Sequence, residues 1–115
     1  MAKYGNKKIE HDGYKFDSVA EMSRYKELKL LLKAGEITHL ELQPKFTVVP
    51  KTKGEQAVVY IADFSYVEVG SNNVVVEDVK GMATKEYVIK RKLFKHQNPN
   101  IDFREIPVGN IRRLK

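Results

Sequence analysis

Asp63 stands in one apolar β-type run, and fifteen residues later the next such run ends in Asp78-Val79-Lys80. Side chains alternate along a strand, so Asp78 and Lys80 project together while Glu77 and Val79 point the other way. Carboxylates and an ammonium at the ends of apolar strands suit a divalent metal and the phosphate it would bind. A phosphodiester is anionic and resists hydroxide; a carboxylate-held Mg²⁺ neutralises the transition state and makes water a usable nucleophile. Mg²⁺ takes one or two protein carboxylates, several waters and a phosphate oxygen, which Asp63 and Asp78 would serve, with the Val79 carbonyl as a further ligand. Lys80 would orient or deprotonate the water, or stabilise the pentavalent phosphate. The plain alternative is a strand-end salt bridge, and a D-x-K triplet alone does not separate the two.

The register between the two strands decides whether these groups meet. One hairpin register sets Asp63 directly opposite Asp78, and a shift by two sets it opposite Lys80. Both keep the three side chains on one face, whereas a one-residue slip needs a bulge. Glu21, Tyr25, Leu28 and Leu32 fall on one helical stripe, which puts Glu21 on a core-facing side. Ser18-Val19-Ala20-Glu21 is also a capping box, and on local grounds the cap is the better reading. Tyr87, Lys90 and Phe94 place Lys90 among apolar neighbours, either as a snorkelling lysine or as a group reaching phosphate.

The elements that must position these residues follow from pattern and punctuation. Asp12-Gly13 between short alternating runs predicts an N-terminal hairpin. Ser18 opens a helix that Gly35 stops. Strands follow at Phe46–Val49, extended irregularly past Pro44, at Ala57–Val67 and at Val74–Lys80, with turns at Lys51–Glu55 and Gly70–Asn73. Thr84 caps a second helix running to about Gln97, and Ile101–Ile106 alternates as a last strand. The fold class is therefore α/β: a single domain of helix, three strands, helix and strand, with a mixed sheet and a short hairpin in front. Residues 1–6 and 107–115 read as basic tails without periodic pattern.

The chain has 115 residues, enough for one modest core. It contains no cysteine, which excludes disulfides, thiolate nucleophiles and cysteine-based zinc sites. His11, His39 and His96 lack ligand spacing, and no phosphate-binding loop, Ser-His-Asp set or dinucleotide fingerprint is present. No apolar run reaches transmembrane length, so no membrane partner and a cytoplasmic location are expected. The net charge of +6 favours a polyanionic partner. Its basic residues gather in Lys3-Lys7-Lys8, in Lys85 through Lys95, and in Arg112-Arg113-Lys115.

Asp63 with Asp78-Val79-Lys80, in this order of elements, resembles the PD-(D/E)XK nuclease superfamily and its restriction-endonuclease-like αβββαβ core. Ala62 departs from the proline usual before the first aspartate. Glu21 matches the helix glutamate of resolvase-like branches, which turns its reading from cap to metal ligand. More narrowly, the chain is similar to a family of small phage and prophage proteins long labelled a domain of unknown function. That likeness rests on Asp12-Gly13, Phe16-Asp17-Ser18 with Glu21, Arg24-Tyr25, Gln43-Pro44-Lys45-Phe46, Tyr60 through Tyr66, Glu77 through Gly81, Thr84, Tyr87, Lys90 and Lys92. It implies a Mg²⁺-dependent endonuclease (Mn²⁺ substituting) that resolves Holliday junctions or other branched DNA in phage recombination or packaging, inside a bacterial host. It implies a homodimer, with Glu21, Asp63, Asp78 and Lys80 catalytic and Gln43, Lys85, Lys90 and Lys92 near DNA. The implied partner is branched or duplex DNA, and the alternatives are a nuclease with a different DNA substrate (a nicking enzyme or an end-cleaving subunit) and a catalytically silent basic DNA-binding module of the same fold. Tyr60 and Tyr66 read as strand packing.

Overall fold

The computed structural model describes residues 8–110; Lys3, Lys7 and the Arg112-Arg113-Lys115 cluster lie outside them. β1 (Ile9–His11) and β2 (Tyr14–Phe16) form the expected hairpin. Its turn residues Asp12 and Gly13 have φ of 54° and 80°, the left-handed pair whose twist matches that of the strands. α1 (Val19–Lys33) begins at Ser18, whose Oγ accepts the Glu21 amide at 3.1 Å.

The end of α1 is a Schellman motif. The amides of Gly35 and Glu36 donate to the carbonyls of Leu32 and Leu31, with Gly35 at φ 77°. A β-carbon there is strained whatever space surrounds it. Gly35→Ala is therefore expected to cost about 1–2 kcal/mol, read as a lower urea midpoint with an unchanged slope.

The strands are β3 (Ile37–Leu42), β4 (Lys45–Val49), β5 (Val58–Ile61), β6 (Phe64–Glu68) and β7 (Val74–Lys80); α2 (Lys85–Gln97) and β8 (Asp102–Pro107) follow. The four-stranded sheet runs β3-β6-β7-β8, antiparallel except for β8, which returns through α2 to lie parallel to β7. β4 and β5 pair separately. The long strand expected over Ala57–Val67 is thus two strands, broken at Ala62-Asp63, and its partner is broken at Gln43-Pro44. The breaks face each other: the Ala62 amide donates to Pro44 O at 3.1 Å, and the Gln43 amide to Asp63 O at 2.9 Å. Pro44 has no amide to give the ladder and Gln43 sits at φ 52°, so both chains bend together.

β7 is covered on both faces, which is why Val75 through Val79 are all buried and the run is nearly continuously apolar. Val75 and Val79 pack with Tyr25 and Leu28 of α1, while Val76 packs with Tyr87 and Phe94 of α2. The chain expected to be tail from residue 107 begins inside the fold. Pro107 pairs with Lys80 in register, and Val108–Asn110 form a 3₁₀ turn. No helix among the described residues is long and apolar enough to cross a membrane.

Candidate active site

Alternation along β7 sends its two adjacent acids to opposite layers. Glu77, fully buried, points toward α1, where Arg24 grips it with Nε at 2.8 Å and Nη2 at 2.6 Å. The Tyr66 hydroxyl donates to the same carboxylate, and Arg24 also reaches Glu27 at 3.2 Å. Glu77 is thereby paired with a cation and held by three hydrogen bonds, the surroundings of a structural acid.

Asp78, 1% exposed, points toward α2. It accepts the Tyr60 hydroxyl, and the Lys80 ammonium stands 3.5 Å from its Oδ1. Burial lifts its pKa to about 6, and Lys80 opposes that shift. Lys80 also lies over the Tyr87 ring, 4.2 Å from the centroid, so an aromatic face and a carboxylate hold one cation between them. The buried Tyr60 and Tyr66 hydroxyls both need partners, and each takes an acid of β7, a role beyond strand packing. Tyr60→Phe would leave Asp78 short of a donor. A loss of about 1–3 kcal/mol is expected in denaturant unfolding.

Asp63 lies at the strand break. Ala62 belongs to the α2-side core and Phe64 to the α1-side core, so strict alternation fails at Asp63 and turns it out between the layers. Phe64 pairs with Glu77, which leaves Asp63 level with Asp78. The main-chain carbonyl of Asp63 goes to Gln43, and its Oδ2 accepts the Val79 amide at 2.7 Å. A carboxylate therefore terminates the β6–β7 ladder. Burial raises the Asp63 pKa, while the Val79 amide and Lys80 pull it down.

Glu21 stands beside Asp63, and both line a cavity of about 260 Å³ under the N-terminal hairpin. Burial pushes the Glu21 pKa up to about 8, with the charges of Asp63 and Asp17 adding to it; the Asp17 amide and Lys80 act against. The capping box is half made: Ser18 accepts the Glu21 amide, but among the described residues no hydrogen bond returns from the Ser18 amide to the Glu21 carboxylate.

Lys80 is thus the common cation felt by Glu21, Asp63 and Asp78. The three carboxylates do not close on one point. Among the described residues, no set of three His, Cys, Asp or Glu side chains is placed to hold one ion. Asp63 and Asp78, level in register across β6 and β7, offer the oxygen donors that Mg²⁺ takes while water and phosphate fill most of its shell. Glu21 and Asp63 line one cavity, and Asp78 is not among its lining residues.

The outer residues divide. Gln43 lines the cavity with Asp63 and Glu21. Lys85 and Lys92 are exposed on α2, while Lys90 is half-buried and pairs with Glu86 at 3.4 Å along the same helix. Sequence reasoning passed over the role of Arg24. Its signal was available, since Arg24 directly precedes Tyr25 on the core-facing stripe and needed a buried anion.

Comparison with curated proteins and with solved structures returns no match. Residues 1–114 match the family described as "Protein of unknown function (DUF1064)". That match spans almost the whole chain, helices, hairpin and all four site residues included, so the protein belongs to the DUF1064 family.

Proposed function

We propose that this protein is a metal-dependent DNA endonuclease acting on branched DNA, in the manner of the PD-(D/E)XK nucleases it resembles. One observation carries the reading: a chain of net charge +6 half-buries or buries Glu21, Asp63 and Asp78, all three of which feel the ammonium of Lys80. Burying carboxylates is costly unless a proton or a cation compensates them, and a bound divalent metal is the compensation this reading supplies.

Asp63 and Asp78 are the groups that would hold Mg²⁺ or Mn²⁺, with the Val79 carbonyl adjoining and Glu21 at the cavity side. The bound ion supplies Lewis acidity toward the phosphate and lowers the pKa of water. Lys80, steadied by Tyr87 and Asp78, would orient the attacking water or stabilise charge on the phosphate. Lys85, Lys90 and Lys92 would meet DNA through its backbone and shape, because phosphate contacts position a duplex without reading its sequence, and Gln43 would contact DNA at the cavity. Symmetric nicks in a four-way junction need two sites, hence a homodimer.

The test incubates the purified chain with a labelled four-way junction and a matched linear duplex, in Mg²⁺ or in chelator. Junction cleavage in Mg²⁺ alone is expected. Binding without cleavage in every divalent metal overturns the enzyme reading in favour of a silent DNA-binding module, and equal cutting of duplex overturns the branched substrate.

A further inference from the structure

The cavity under the N-terminal hairpin has walls of two kinds. Tyr14, Phe16, Leu42 and Phe64 give it apolar and aromatic surface. Gln43 and Lys15 stand among the polar lining residues, with the carboxylates of Glu21 and Asp63 beside them. Its volume of about 260 Å³ lies just below the range of pockets for drug-sized ligands, the size class of one heterocycle rather than a whole nucleotide. The aromatic and apolar walls are a poor seat for a charged phosphate, and the polar groups would be poorly served by a purely aliphatic guest. A flat neutral ring with a hydrogen-bonding edge satisfies both walls.

The backbone adds a second observation. Gln43 is held at φ 52°, a conformation uncommon outside glycine, asparagine and aspartate, with its amide locked on Asp63 O. Such strain is maintained where a side chain must be aimed, and here it ties Gln43 to the residue at the centre of the site. A carboxamide offers a donor and an acceptor together, the pattern that pairs with a base edge. Tyr14, 47% exposed on β2, offers a ring on which a base can stack.

We infer that this cavity takes one unstacked nucleobase beside the phosphate to be cut, with Tyr14 as its stacking platform and Gln43 as the reader of its edge. The inference rests on the nuclease reading for the phosphate and supplies the physical basis of branch selection. A base already unpaired at a junction or gap enters without breaking a stack, whereas a base in intact duplex must first be extruded. Tyr14 and Gln43 are specificity-determining residues, and neither touches the phosphate in this arrangement.

The test measures binding of the full chain in chelator, so that it stands apart from cleavage. The probes are a duplex carrying a short single-stranded gap with 2-aminopurine at the unpaired position, and the matched duplex. The unmodified protein is expected to bind the gapped DNA about tenfold more tightly and to change the 2-aminopurine emission. Tyr14→Ala should bring the affinity ratio close to one and abolish the emission change, with duplex affinity altered less than about twofold. Tyr14→Phe should restore both, and Gln43→Ala should reduce the emission change without touching the aromatic platform. Absence of the preference, equal weakening on both DNAs in Tyr14→Ala, or failure of Tyr14→Phe to restore it overturns the pocket. A protein that never cuts can still pass this test, and one that cuts without the preference loses the pocket alone.

Discussion

Lys80→Ala is expected to lower junction cleavage by about 10²–10³-fold in Mg²⁺ while DNA binding persists, because one preorganised charge at a reacting phosphate is worth that much. The geometry makes the substitution informative. Lys80 Nζ is held by Asp78 and the Tyr87 ring, and only 30% of its side chain is exposed, so it is not one more surface cation in a general attraction for DNA. Removing it from a charge of +6 changes long-range attraction little. Asp63→Asn and Asp78→Asn complete the experiment. An asparagine at 63 can still accept the Val79 amide, and one at 78 can still accept the Tyr60 hydroxyl, so both keep the local hydrogen bonds and lose only the charge. Loss of cleavage in folded Asn variants would locate the defect in metal binding. Asp63→Ala, in contrast, also frees the Val79 amide at the strand end and is expected to lower stability as well. Retained cleavage in Lys80→Ala would remove it from the chemistry and leave it a partner of Asp78.

Arg24→Ala is expected to be the most destabilising single change, by about 3–5 kcal/mol, since it strands a carboxylate in the interior. Glu77 has no exposure, and its charge is met by Arg24 through two nitrogens and by the Tyr66 hydroxyl. A loss of that size is a large part of the ~5–15 kcal/mol by which domains are stable. Urea or thermal unfolding reads the effect directly. Glu77→Gln should cost less, because the amide oxygen still accepts from the guanidinium. Replacing both residues together by methionine should recover much of the loss, as removing a whole buried pair is far milder than breaking it. A small effect from Arg24→Ala would mean that Glu77 finds another cation or takes up a proton in the variant.

The legible part of this fold is the part written in local pattern. Two cap residues, Ser18 and Thr84, mark both helix starts, and Gly35 marks the first helix end. Asp12-Gly13 marks the hairpin, and the alternation of Val74–Lys80 assigns Asp78 and Lys80 to one face and Glu77 to the other. Each of these depends on residues within a few positions, where steric preference and period act alone.

What the sequence could not contain is the partner of each charge. Arg24 lies far along the chain from Glu77, and Tyr60 lies a hairpin away from Asp78; only the closing of α1 and β5 onto β7 pairs them. The paired breaks at Gln43-Pro44 and Ala62-Asp63 belong to the same class, because one bent strand is stable only when its neighbour bends beside it. That bend turns Asp63 out of alternation and sets it beside Glu21 in one cavity, a placement that no register argument on straight strands can yield. Sequence by itself therefore determined which face of β7 carries Asp78 and Lys80 and that Glu77 takes the other. Tertiary structure decided which acids are neutralised and which stay available, because burial and pairing are properties of contacts between elements.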